Sequence, residues 1–116
     1  MTAKELADVL AAEIVSKGNI GREIVSGMVC DGMSLSIARG CSGMAWVCQR
    51  ADINVLAVAV MTDAACVIFP QCTQLDEKLI QRAKAENISI LITPKSAFEA
   101  VGKMYAAGIR PERSRK

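Results

Sequence analysis

Cysteine is the residue type with the most chemistry to offer here, because histidine, the commonest general base and metal ligand, is absent from all 116 residues. Cys30, Cys41, Cys48, Cys66 and Cys72 are separated by 11, 7, 18 and 6 positions, without the Cys-x-x-Cys spacing usual for iron–sulfur ligation. Cys30, Cys48 and Cys66 lie in apolar stretches, where thiols pack as small hydrophobes. We expect structural thiols, no metal and no cofactor. The two cysteines in loops, Cys41 and Cys72, are the candidates under the alternative of metal or redox chemistry.

Other familiar motifs are weak or absent. No GxxxxGK[ST] sequence occurs, so phosphoryl transfer of the P-loop kind is not indicated. Gly40 and Gly43 bracket a GCSG stretch that could be taken for a phosphate loop, but two glycines in a loop are weak evidence, and turn geometry is the favoured explanation. Asp31, Asp63 and Asp76 stand at the ends of expected helices and strands, where capping and solvation account for them.

Charge and composition limit the classes of function that this chain is expected to have. The chain carries 14 basic and 12 acidic side chains, but the segment 110–116 holds four of the basic groups and one of the acidic ones. The remaining residues, 1–109, are therefore nearly neutral, and only 3% of the chain is aromatic. A nucleic-acid-binding face needs basic groups on the folded body, so we expect no nucleic-acid partner. We expect one domain over 1–109 and a basic tail over 110–116.

No segment has the pattern of a signal peptide or a membrane span. Residues 1–17 mix charged and apolar side chains without a continuous apolar core. The longest apolar run, 53–69, is interrupted by Thr62 and Asp63 and is short for a span. We expect a cytoplasmic protein without a membrane partner.

The clearest structural pattern lies in residues 75–107. It predicts an amphipathic helix, a short apolar strand over 88–92, and a second amphipathic helix that ends at Gly108. Ser96 and Glu99 have the spacing of a capping box at the start of that second helix. We expect one face of it to carry the side chains of Phe98, Val101 and Tyr105.

The rest of the chain continues the alternation of helices and strands. A capping box at Thr2 and Glu5 opens a helix, with Ile14 inward and Gly18 as its stop. Strands are predicted over 23–31, 44–48 and 65–69, and helices around 34–38 and over 54–62. Alternating strands and helices favour right-handed crossovers and parallel pairing. The sequence thus predicts an α/β fold with a mainly parallel four-stranded sheet flanked by helices in three layers.

The stretches INVLAVAVMTDAACVIF and LDEKLIQRAKAENISILITPKSAFEAVGKMY resemble the DRTGG domain family. The order of elements over nearly the whole chain fits a stand-alone member, related to the N-terminal domain of HPr kinase/phosphorylase. Other members lie beside CBS domains in some pyrophosphatases, within some phosphotransacetylases, or are encoded near iron-only hydrogenase subunits. The family often has Gly-Asp-Arg after the second strand, where this chain has Cys48-Gln49-Arg50. The usual Thr-Gly-Gly appears as Pro70-Gln71-Cys72.

A small ligand would be expected at the carboxyl ends of the parallel strands. Arg50 is the natural contact for an anion, and two residues expected at helix N-termini supply hydroxyl groups. The candidate ligand-binding residues at this edge are Arg50, Asp52, Asn54, Thr73, Thr93 and Ser96.

These patterns favour a non-catalytic regulatory or assembly module. Its expected partners are a second copy of the chain, a larger metabolic or redox enzyme such as the hydrogenase that the resemblance implies, or a small anionic ligand. The predicted helix 54–62 is apolar nearly all round, which favours a homodimer. An iron–sulfur or thiol redox accessory protein and a nucleotide-sensing domain remain as alternatives.

Overall fold

Five helices and five strands form residues 1–111, the part of the chain that a computed structural model describes, and they alternate except for two consecutive strands after the first helix. In chain order they are α1 (Ala3–Val9), β1 (Glu13–Ser16), β2 (Ser26–Val29), α2 (Met33–Arg39), β3 (Met44–Val47), α3 (Asn54–Thr62), β4 (Cys66–Pro70), α4 (Glu77–Ala85), β5 (Ile90–Thr93) and α5 (Ala97–Ala106). No helix among these residues is both long enough and apolar enough to cross a membrane.

All five strands form one sheet in the order β1-β5-β4-β3-β2. Strands β2 to β5 are parallel neighbours in chain order, and β1 adds an antiparallel edge beside β5. The crossover helices α3 and α4 pack on one face of the sheet, whereas α1 and α5 cover the other. This arrangement confirms the predicted three-layer α/β class.

Strand β3 shows how the sequence specifies these layers. Met44 and Trp46 belong to the core beneath α3 and α4, whereas Ala45 and Val47 belong to the core beneath α1 and α5. All four are at most 1% exposed. A parallel strand covered by helices on both sides needs apolar side chains at every position, which is why these strands read as continuous apolar runs.

The sheet has five strands rather than the predicted four, because residues 13–16 form an edge strand and not part of a long first helix. The helix ends early: Ala11 has a φ of 50°, outside helical geometry. Ile14, expected inward on that helix, is instead 38% exposed on β1. The Ser16 hydroxyl donates a 2.6 Å hydrogen bond to the Ile88 carbonyl, which fastens β1 beside β5. The predicted helix stop at Gly18 was therefore wrong.

Helix α5 packs against the sheet through a face other than the one that carries Phe98 and Tyr105. Ser96 caps it as predicted, since its hydroxyl accepts a hydrogen bond from the Glu99 amide at 3.1 Å. Ala100 and Met104 are the buried residues, whereas Phe98 is 92% exposed. Small Ala100 lets the helix lie against the sheet and leaves the larger aromatic side chains outside.

A bidentate ion pair ties together three turns that precede parallel strands. The Arg22 guanidinium donates to both carboxylate oxygens of Asp63 at 2.8 and 2.9 Å, and the Ser42 hydroxyl donates to the same carboxylate at 2.6 Å. The hydrogen bonds from Arg22, and then from Ser42, hold the pKa of Asp63 at about 2. These residues precede β2, β3 and β4, so the cluster lies at the amino edge of the sheet.

We predict that Asp63→Asn removes an acid-sensitive part of the stability. Asparagine tolerates the left-handed backbone at this position, where φ is 58°. Because the folded pKa of Asp63 lies below its ordinary value of 3.8, the stabilisation is complete above about pH 4 and disappears as the pH falls toward 2. The carboxylate is largely exposed, so the loss at pH 6 should stay below about 1 kcal/mol.

Urea unfolding of the wild type and Asp63→Asn from pH 2 to pH 6 measures this difference. Arg22→Gln should produce the same profile, and the double variant should lose no more than either single one. A wild-type advantage that persists unchanged at pH 2 would contradict the assignment.

The turn after β1 approaches the sheet so closely that it requires glycine. Gly18 has a φ of +49°, and a Cβ built on it would lie 2.6 Å from the Ser89 amide nitrogen and 2.7 Å from the Ile88 carbonyl carbon. These are backbone atoms of the strand region, which cannot rotate away as a side chain can. A hydrogen bond of 2.7 Å from the Ser89 hydroxyl to the Lys17 carbonyl holds the two segments together.

We predict that Gly18→Ala lowers the free energy of unfolding by about 1–3 kcal/mol, because it combines a left-handed backbone with a clash. Gly102→Ala is the matched control, since a Cβ at this helical position meets nothing within 4 Å. It should raise stability by roughly 0.5–1 kcal/mol, as alanine does in exposed helices. Urea unfolding measures both values, and equal effects of the two substitutions would refute this account of Gly18.

Candidate functional site

Three of the predicted ligand-binding residues form one cluster at the carboxyl end of β3. The Arg50 guanidinium donates to the Asp52 carboxylate at 3.0 Å, and this carboxylate accepts from the Asn54 amide at 2.8 Å. Asp52 therefore opens α3 by satisfying an amide of its first turn, since the residue at the cap position, Ile53, has no side chain that can do so. Arg50 is half-exposed at the rim but already has an acidic partner.

The other three candidates have separate structural settings. Thr93 is fully buried; its hydroxyl donates to the Leu10 carbonyl at 2.8 Å and so fastens the end of α1. Ser96 caps α5. Thr73 is exposed in the loop before α4, whose cap is Asp76. Within residues 1–111, no hydrogen bond or ion pair joins these three to the cluster around Arg50.

The cysteines divide by burial. Cys48 and Cys66 lie inside the sheet, where burial raises the pKa of the Cys48 thiol to about 11 and that of Cys66 to about 12. These two are protonated packing groups at neutral pH. Cys30, Cys41 and Cys72 are half-buried. In the part of the chain that the structure describes, no group of three or more acidic or cysteine side chains could hold a metal ion.

A groove of about 450 Å³ runs along the outer edge of β2. The Gly27 amide donates to the Arg110 carbonyl at 3.0 Å, and Pro111 pairs with Gly27 in parallel fashion. The segment that follows α5 thus turns back onto the free edge of the sheet. Two residues of the predicted basic tail, Arg110 and Pro111, contact the domain, whereas 112–116 lie outside the described residues.

The groove is apolar inside and basic at its margin. Its lining combines side chains from β2, the α2–β3 connection, α5 and the segment after α5: Ser26, Gly27, Met28, Val29, Arg39, Cys41, Met44, Val101, Met104, Tyr105, Ile109, Arg110 and Pro111. Among residues 1–111, the lining contains two arginines and no acidic residue.

The arginine at the end of the groove is held in place by its neighbours. The Arg110 guanidinium carbon stacks 3.8 Å from the centre of the Tyr105 ring, and Nη1 donates to the Tyr105 carbonyl at 2.7 Å. Sequence reasoning missed this groove, because it joins residues about 80 positions apart. The signal available was Gly27 within a predicted strand, since glycine there often marks the close approach of another backbone.

Comparison with known proteins identifies a similar fold. No family model matches the chain, and no curated protein matches it in sequence. A solved structure of the CBS and DRTGG domains of the regulatory region of Clostridium perfringens pyrophosphatase, complexed with the activator diadenosine tetraphosphate, is similar with a TM-score of 0.71 and 18% identity. The match covers 89% of this chain and 45% of that chain, so the chain spans less than half of its length. The likeness is consistent with the expected DRTGG-like fold, and at this identity it concerns the fold alone.

Proposed function

We propose that this chain is a regulatory or assembly module that acts by binding and has no catalytic turnover of its own. Its fold is similar to that of a chain from the regulatory region of a pyrophosphatase, and that structure is a complex with an activator. Asp63 has a structural role in joining three turns, and the thiols of Cys48 and Cys66 are protonated inside the core. A binding module needs an exposed surface suited to a partner, and α3 offers one.

The observation that carries the proposal is an exposed apolar surface on α3. The nine residues of this helix include no charged side chain. Its inner side packs in the core, whereas Ile53, Val60 and Met61 on its outer side are between 47% and 67% exposed. Leu35 and Ile37 of the neighbouring helix α2 are also exposed. We call these five residues the α3 face.

A second copy of the chain is the occupant that best fits the α3 face. In a twofold dimer the same patch of both copies forms the contact, so a face with charges of a single sign would oppose like charges. The exposed residues that define the α3 face are all uncharged and can pair with themselves. Burial of apolar area of this kind drives association. Docking of a larger metabolic or redox enzyme, such as a hydrogenase, on the same face is the competing use.

We predict that Val60→Lys converts a dimer into a monomer at micromolar concentration, because it places two ammonium groups in the symmetric contact. Light scattering coupled to size-exclusion chromatography measures the mass. Val25→Lys is the matched control: Val25 is 68% exposed and Val60 is 51% exposed, but Val25 lies before β2 and outside the α3 face. It should leave the dimer intact. A wild-type monomer at this concentration would rule out the homodimer.

We also predict that Arg50→Ala weakens binding at the carboxyl edge with little effect on folding. Arg50 and Asp52 are both partly exposed, so the loss of their ion pair should cost less than about 1 kcal/mol. Thermal shifts produced by adenine nucleotides and by pyrophosphate, chosen because the similar structure holds a dinucleotide activator, measure ligand binding. Arg82→Ala is the control, since Arg82 also pairs with an exposed carboxylate, that of Glu86.

The expected result is a thermal shift reduced in Arg50→Ala and retained in Arg82→Ala. Equal thermal shifts in both variants would show that Arg50 does not contribute to ligand binding. The proposal that the chain has no turnover would be contradicted if the wild type hydrolysed the nucleotides and a single substitution abolished this hydrolysis.

A further inference from the structure

We propose that the groove along β2 binds an elongated organic anion, with an apolar body inside the groove and an acidic head group at its arginines. The proposal that the groove binds a ligand is argued from the geometry of the groove alone. Only a regulatory role for that ligand rests on the proposed function. The site is distinct from the carboxyl-edge cluster around Arg50 and from the α3 face.

The interior of the groove suits an apolar chain. Met44 and Met104 are at most 3% exposed, and with half-buried Met28 they place three flexible thioether side chains along the lining. Methionine adapts its shape to an unbranched chain more readily than a branched residue does. A volume of about 450 Å³ lies within the usual range of small-molecule sites.

The charges of the arginines indicate the sign of the ligand. Residues 1–111 contain five arginines, and Arg22, Arg50 and Arg82 each pair with a carboxylate. Arg39 and Arg110 have no carboxylate partner among the described residues, and both line the groove. Two guanidinium groups that have no carboxylate partner within residues 1–111, beside an apolar lining whose described residues include no acid, favour an anion.

The Arg110 side chain is pre-organised for contact with an anion. Its Nη1 is occupied by the carbonyls of Tyr105 and Ile109, and the Tyr105 ring supports the guanidinium plane. A guanidinium has five donors, so others remain for a ligand while the side chain is held in one orientation. Pre-organised side chains lose less conformational entropy on binding.

The backbone of β2 argues against an extended peptide as the occupant. Adding a strand needs a free backbone edge. The Gly27 amide, in the middle of the four-residue strand, already donates to Arg110, and Pro111 lies beside it. The groove therefore offers side-chain surface to a ligand and little backbone.

Decanoate is a suitable probe, because it combines an unbranched apolar chain with a carboxylate. Titration of the full-length chain, followed by ¹⁵N-resolved NMR below the concentration at which decanoate forms micelles, reports both affinity and place. We expect the largest shifts at the amides of Ser26–Val29 and Ile109 and Arg110. Decanol and decyltrimethylammonium, which have the same chain with a neutral or a positive head, should bind at least fivefold more weakly.

Two substitutions separate charge from folding. Arg39→Gln should weaken decanoate at least fivefold, while Arg82→Gln, the same change on α4, should leave the dissociation constant unchanged. Val101→Phe, which places a larger side chain in the groove lining, should abolish the shifts while the rest of the spectrum stays folded.

Each contrary result overturns the proposal. One such result is that decanoate does not bind saturably, and another is that decanol or decyltrimethylammonium binds with the same affinity as decanoate. The others are chemical-shift changes centred away from β2, and equal effects of the two arginine substitutions on the dissociation constant. Decanoate binding by the Val60→Lys variant distinguishes this proposal from the proposed dimer. Binding that persists in this monomeric variant supports the groove site whether or not the wild type is dimeric. Loss of decanoate binding in the variant overturns the groove proposal.

Discussion

The structure depends on one constraint, which is that a parallel sheet must be covered on both faces. Strands β2 to β5 are neighbours in chain order, and right-handed crossovers that proceed in one direction put their helices on a single face. The opposite face would be bare if the ends of the chain did not supply α1 and α5. A hydrogen bond from the buried Thr93 hydroxyl to the Leu10 carbonyl attaches the N-terminal segment to the sheet that it covers.

This topology also explains where ligand sites can form. In open α/β sheets, a crevice at the carboxyl edge opens where the strand order reverses. Between β2 and β5 the order does not reverse, so a ligand at the loops after β3, β4 and β5 would bind without the crevice that a reversal creates. Arg50 pairs there with its neighbour Asp52. A groove lies at the edge strand β2, where the segment after α5 turns back.

The sequence was sufficient for features that depend on local spacing and insufficient for those that depend on distant partners. The helix over 54–62 and the caps at Thr2 and Ser96 follow from adjacent residues and were predicted correctly. The error at β1 arose because Ile14 falls at helical spacing from Leu10, and only pairing with β5 makes it a strand residue. The groove needs Gly27 beside Arg110, a contact that no local pattern encodes.

The α3 face and the groove along β2 differ in charge, and this difference is the reason for proposing different occupants for them. The α3 face has no charge, so a twofold copy of itself meets no repulsion there. The described part of the groove carries Arg39 and Arg110 and no acidic residue, and a twofold contact through it would bring like charges together in an apolar setting, where their repulsion is least screened. If both proposals hold, self-association through the α3 face and ligand binding at the β2 edge would use separate surfaces, because the apolar residues of the first and the arginines of the second belong to different parts of the domain.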